Sequence, residues 1–203
     1  MTNFVSFTEG GEVSHVDHLV FNLVDPAADT GSVTSLISKS LKGLATGVAA
    51  RFDSDPLIDY RAQRPLMNFR NGRLVGMRRD GIVLSHATDV EGHRFLHLNG
   101  TEPDFQWDAL LADILDVIER FGVTRTYSFT AIAATTPHTR PADMVVRQTV
   151  PDPGRVVLEA DFWFPASFAD YVEFHLGKLG GVSHTNVAVR VPMYLAGHQF
   201  SSG

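Results

Sequence analysis

The sequence predicts an α/β fold in which a mostly parallel sheet carries helices on both faces. Three observations support this. Short apolar runs alternate with amphipathic helical stretches. The crossovers between them are long enough for parallel pairing. One passage, Asn99 to Val123 (NGTEPDFQWDALLADILDVIERFGV), leaves a strand through a polar turn and enters a strongly amphipathic helix.

The elements follow in chain order. Residues 1–14 read as a flexible or edge segment, and His18–Val24 (HLVFNLV) is an apolar run of the buried-strand type. Asp29 to Thr34 offers caps for a helix reaching about Thr46, with Val33, Leu36, Ile37, Leu41 and Leu44 on one face and Gly47 as its end. A second strand is predicted over Gly47–Asp53. Asn71-Gly72 is the strongest two-residue hairpin signal, joining Leu66–Phe69 to Arg73–Gly76. Ile82–Ser85 and His93–Leu98 are short strands on either side of a polar turn.

The helix that follows has a buried stripe of Trp107, Leu110, Leu111, Ile114, Leu115, Val117, Ile118 and Phe121. Asp108, Asp113, Asp116, Glu119 and Arg120 are expected outward. Gly122 ends it, and Thr126–Ala133 returns to the sheet. Met144–Gln148 and Arg155–Phe162 are strand-like, Ser167–Leu179 is a helix closed by Gly180-Gly181, and Thr185–Val191 alternates until Pro192. Asp161–Tyr171 holds five aromatics, expected mostly in the core, and any ridge left outside would mark a subunit interface.

Bulk properties limit the function classes. At 203 residues the chain fits one domain, taken as 15–196 between the N-terminal segment 1–14 and a tail 197–203. With no cysteine, disulfides and thiolate zinc sites are excluded. A net charge of −6 argues against a general nucleic-acid or anionic-membrane binder. No apolar run approaches the roughly 20 residues that span a bilayer, and the polar N-terminus lacks a signal-peptide pattern. A cytoplasmic location is expected.

Three constellations could carry chemistry. The turn Asn99–Asp104 lies where α/β folds place ligands, although Glu102, Asp104 and Asp108 there favour helix capping over phosphate binding. The loop Thr135–Pro141 holds His138 and Arg140 between two prolines, as a binding pair or as partners of carboxylates such as Asp59 or Asp104. The stretch Asp59–Pro65 could grip a carboxylate or phosphate through Arg61 and Arg64, or be a solvated turn. A cleft built from these turns would be lined by Asp59, Arg61, Arg64, Asp104, Gln106, His138 and Arg140.

Other chemistries find no motif. GxGxxG, Walker-type, GxSxG and HExxH patterns are absent, so no catalytic set is assigned. His15, Asp17 and His18 alternate in facing, and His93 and His97 lie about 13 Å apart at strand rise, too far for one ion. No metal and no cofactor is expected. Ser85 and Ser128 read as core or edge hydroxyls inside apolar runs.

Five segments resemble the proteasome assembly chaperone family, in its actinobacterial branch of uncharacterised proteins. They are DPLIDYRAQRPLMNF (Asp55–Phe69), NGTEPDFQW (Asn99–Trp107), IAATTPHTRP (Ile132–Pro141), PASF…EFHLG (Pro165–Gly177) and VRVPMYLA (Val189–Ala196). The resemblance implies a three-layer α/β/α sandwich similar to nucleoside phosphorylases, without a recognised catalytic set. It implies a non-catalytic assembly or interaction scaffold, a homo-oligomer (a trimer by analogy with the fold) and a possible protein partner. The alternative is a binder of a nucleoside- or phosphate-like small molecule, or a phosphorylase- or hydrolase-like enzyme. Similar proteins continue past VPMYLA with helical sequence, whereas this chain stops at Gly203.

Overall fold

A computed structural model describes residues 3–8, 15–25, 29–79, 81–135, 137, 139, 143–150, 161 and 163–194. Strand β1 (Val5–Phe7) and strand β2 (His18–Val24) precede helix α1 (Val33–Lys42), then β3 (Ala45–Phe52). The hairpin β4 (Leu66–Arg70) and β5 (Arg73–Arg78) follows, then β6 (Val83–Thr88) and β7 (Arg94–Thr101). Helix α2 (Trp107–Phe121), β8 (Arg125–Ala134), β9 (Met144–Gln148), helix α3 (Phe168–Leu179) and β10 (Ser183–Pro192) complete the order.

Among the described residues eight strands form one sheet in the order β1-β3-β6-β7-β2-β8-β10-β9, and β4-β5 pair only with each other. Four consecutive strands, β7-β2-β8-β10, are mutually parallel, with Phe21 opposite both Leu98 and Ser128. Antiparallel strands extend both flanks. This is the α/β fold expected, with its parallel portion at the centre where both faces are covered.

Face assignment follows from strand alternation. Leu19, Phe21, Leu84, Leu96 and Leu98 point to the layer formed by α2 and α3, and with Leu110, Ile114, Phe168, Val172 and Leu176 they make the core. Each such side chain, fully removed from water, contributes about 2 kcal/mol. The Trp107 ring meets Phe168 edge-on at 5.5 Å, joining the two helices. Helix α1 covers the opposite face, against β2 and β8. No helix among the described residues is long and apolar enough to cross a membrane.

Three local expectations are corrected. Helix α1 ends at Lys42 with Gly43 as its cap, and Gly47 lies inside β3, because pairing with β6 captures the chain from Ala45 onward. Asp113 of α2 points inward: its carboxylate accepts a 2.8 Å hydrogen bond from the Phe4 amide and thereby anchors the start of β1, and burial raises its pKa. Trp163 is fully exposed and Phe164 half-exposed, so among the described residues of that aromatic run only Phe168 enters the core completely. The predicted strand Arg155–Phe162 lies outside the described residues, apart from Asp161.

The hairpin matches its sequence signal. Asn71 and Gly72 have φ of 50° and 77°, the left-handed pair that a type I′ turn needs. The C-caps Gly122 and Gly180 also have positive φ.

Candidate functional site

Because β7, β2 and β8 are parallel, their carboxyl ends meet on one edge, where open α/β sheets hold ligands. The exit from β7 is made by Gly100, at φ 149°, where an added Cβ would overlap the Gly81 carbonyl. The chain then ties back: the Glu102 amide donates to Val24 at 3.0 Å, and the Asp104 and Phe105 amides donate to the Leu57 carbonyl at 2.8 and 3.1 Å. Gln106 adopts a left-handed conformation (φ 60°) and opens α2 without a side-chain cap.

Neither Glu102 nor Asp104 caps α2, contrary to the capping expectation. The Asp104 carboxylate accepts from the Asp59 amide at 2.7 Å and from Gln63 Nε2 at 3.2 Å, so it staples the 55–63 turn to the 99–106 turn. Asp59 turns its own carboxylate on the Arg61 amide at 2.8 Å. Arg64 and Asp104 line one cleft of about 680 Å³, together with Tyr60, Arg78 and Arg79. Arg79 is held by Asp55 at 3.4 Å and by the Tyr60 hydroxyl at 3.1 Å. The side chains of Arg61 and Gln106 do not line this cleft. His138 and Arg140 lie outside the described residues.

A second concavity, of about 370 Å³, sits between the N-terminal ends of α1 and α3, beyond the ends of β2 and β8. Asp25, Asp29, Glu102 and Asp170 line it, with Arg147 as the one cation among the described residues and Ile132 and Phe164 as apolar walls. Asp29 caps α1, accepting from the Thr34 and Ser35 amides at 2.9 and 3.0 Å. Glu102 accepts from the Phe168 amide, and burial raises its pKa, with neighbouring carboxylates adding to the shift. Arg147 is gripped by Asp170 and, at 2.8 Å, by Glu173. The excess of carboxylates opposes an anionic occupant. Sequence reasoning missed this crevice because Arg147 was not weighed as a site residue and the turn after β7 was grouped with the 59–65 and 135–141 stretches; the break after Val24 was the available signal.

Under α3 runs a buried polar chain whose proton positions are fixed by its ends. Thr126 donates to the Ser183 carbonyl, so it accepts from His184 Nδ1 at 2.8 Å. Nε2 is then the acceptor for the Ser128 hydroxyl at 2.9 Å. Ser128 accepts from Asn186 Nδ2 at 2.8 Å, and Asn186 Oδ1 accepts from Thr130 at 3.2 Å. Burial lowers the His184 pKa to about 4, so the imidazole is neutral. Ser128 is 1% exposed, out of reach of substrate, and the chain binds β8 to β10 rather than arming a nucleophile.

On the opposite face, beneath α1, Asn22 and His97 are buried with no side-chain nitrogen or oxygen partnered among the described residues. Burial, and secondarily Lys42, brings His97 to a pKa of about 4.

The architecture therefore defines an α/β sandwich with two concavities on one sheet edge, one rich in arginine and one acidic. The chain belongs to the PAC2 family, whose model matches residues 23–201. Among solved structures it is similar to a Mycobacterium tuberculosis protein of unknown function, with 25% identity and a TM-score of 0.85 over 97% of this chain and 71% of that one. A Corynebacterium glutamicum protein of unknown function gives 27% identity and 0.83 over 95% and 74%. A proteasome-assembly chaperone homologue from M. tuberculosis gives 20% identity and 0.78 over 88% and 77%. A search of curated proteins finds no match.

Proposed function

We propose that this protein is a non-catalytic assembly scaffold of the cytoplasm, a homo-oligomer that engages a protein partner through the carboxyl edge of its sheet. One observation carries the reading: large apolar side chains stand exposed along that edge. Phe105 is half-exposed in the turn before α2, and Trp163 and Phe164 project beside the acidic crevice. Contiguous exposed apolar surface marks interaction sites. Family membership and the likeness to a proteasome-assembly chaperone homologue make proteasome subunits the partner to try. By analogy with the fold, the copy number is three. The test is native-gel and size-exclusion migration of the purified protein with the proteasome subunits of its own organism. A stable complex, weakened by Phe105→Ser with Trp163→Ser, supports the scaffold; independent migration removes it.

A second reading is favoured by the cleft of Arg64, Arg78 and Arg79, whose guanidinium groups suit a phosphate-bearing or nucleoside-like ligand. Asp59, Arg61, Gln106, His138 and Arg140 belong to that reading as the remaining sequence candidates. A thermal-shift screen with phosphate, nucleosides and nucleotides tests it. A rise in Tm that Arg64→Ala abolishes supports it, and an unmoved Tm with every compound ends it.

A further inference from the structure

We propose that the acidic crevice binds a zwitterion of amino-acid size, its ammonium group held by Glu102, its carboxylate by Arg147 and its apolar side chain against Ile132 and Phe164. The inference goes beyond the scaffold reading and does not depend on it.

Strand order puts the crevice where an open α/β sheet is hollow. From β2 the chain passes through α1 to β3, which lies on the β7 side of the sheet. From β8 it passes to β9 and β10, on the other side. The connections therefore part between β2 and β8, and ligands bind at such a reversal, beyond the carboxyl ends of the strands. Leu23 of β2 and Thr130 and Ile132 of β8 line the hollow, with Ser167 and Asp170 at the start of α3. Its volume of about 370 Å³ falls at the small end of ligand cavities.

The charged groups around it are not equivalent. Both oxygens of Asp29 are occupied by the Thr34 and Ser35 amides. Asp170 gives one oxygen to Arg147 and the other to the Ser167 amide and hydroxyl. Glu102 uses Oε1 on the Phe168 amide, and among the described residues its Oε2 accepts no hydrogen bond. Arg147 uses Nη2 for both Asp170 and Glu173, and among the described residues its Nη1 donates none. One acceptor oxygen and one donor nitrogen are thus left over on residues that share the cavity.

A ligand carrying both charges satisfies both groups, whereas an anion alone would meet the carboxylates and a cation alone would leave Nη1 unmet. Burial raises the Glu102 pKa, with Asp25 and Asp170 adding to the shift, and an ammonium group beside it relieves that cost. The Arg147 guanidinium lies 5.8 Å from the centre of the Phe164 ring, so the place for the ligand carboxylate adjoins an apolar wall. Phe164 and Ile132 are 50% and 41% exposed, leaving apolar surface for a side chain to cover.

Isothermal titration of the purified protein with leucine, isoleucine and phenylalanine tests the site, with leucinamide and N-acetyl-leucine as controls that each lack one charge. At least one of the three amino acids should bind. Each control should bind roughly ten- to a hundredfold more weakly than leucine, the usual loss when a hydrogen bond to a charged group is removed. Glu102→Gln keeps an acceptor for the Phe168 amide, and Arg147→Lys keeps a cation for Asp170 and Glu173, so each variant should fold and weaken binding by a similar factor. The ligand controls need no variant and decide the matter if a variant misfolds. No binding by any of the three at millimolar concentration overturns the proposal. A control that binds as tightly as leucine overturns it too, because the site then reads a single charge. Binding that both folded variants leave unchanged places the ligand elsewhere and overturns it as well. The scaffold reading is decided by the partner complex and is untouched by these results.

Discussion

His97 gives the sharpest test of how the sheet is packed. Its ring is fully buried beneath α1, its two nitrogens have no partner among the described residues, and its pKa falls to about 4. In the unfolded chain the same imidazole titrates near 6.5. Between those values the unfolded state holds a proton that the folded state refuses, so stability falls as pH drops from 7 toward 4. From pH 7 to pH 5, linkage with these pKa values removes about 2 kcal/mol. The experiment is urea denaturation of wild type and His97→Leu at both pH values. Glu102, Asp113 and Glu173, whose pKa values burial raises, push the opposite way in the acid range but act equally on both proteins. At pH 7 the variant should be no less stable than wild type, since two orphaned polar atoms disappear. At pH 5 its advantage should grow by about 2 kcal/mol. Parallel pH profiles for the two proteins would refute the reasoning and show that His97 is hydrated or partnered in solution.

Other outcomes follow from named contacts. Ser128→Ala orphans His184 Nε2 and Asn186 Nδ2 together and should cost about 2–4 kcal/mol, read from the denaturation midpoint. Gly100→Ala combines a left-handed backbone with overlap on the Gly81 carbonyl and should cost about 3 kcal/mol or more, lowering Tm by well over 5 °C or preventing folding. Asn22→Leu replaces two unpartnered buried polar atoms with a side chain of similar volume and should raise Tm, or at worst leave it unchanged. Asp104→Asn should keep the acceptor for the Asp59 amide, whereas Asp104→Ala should speed hydrogen exchange at Asp59, because it removes that acceptor.

How much was legible depends on whether local signals decided the outcome. The strand His18–Val24, the Asn71-Gly72 hairpin, the stripe of α2 and the helix Ser167–Leu179, observed as Phe168–Leu179, each carry their own local signal and formed where expected. Asp113 misled because a carboxylate on a helix reads as solvent-facing until a distant amide, that of Phe4, claims it. Glu102 and Asp104 misled in the same way: a nearby helix start was the obvious taker, but Phe168 and Asp59, far along the chain, are their partners. The aromatic run around Trp163 was expected mostly in the core, because composition does not tell which aromatics fill the core and which, like Trp163, stay exposed. The acidic crevice escaped because its residues come from β2, β7, β9 and both helix starts, a convergence that only the strand order creates.

The account turns on the carboxyl edge being a protein-docking surface, and hydrogen–deuterium exchange of the chain with and without proteasome subunits tests that most directly. It predicts slowed exchange in peptides covering residues 99–106 and 163–170. Protection confined to the opposite sheet edge, or none at saturating partner, would contradict it.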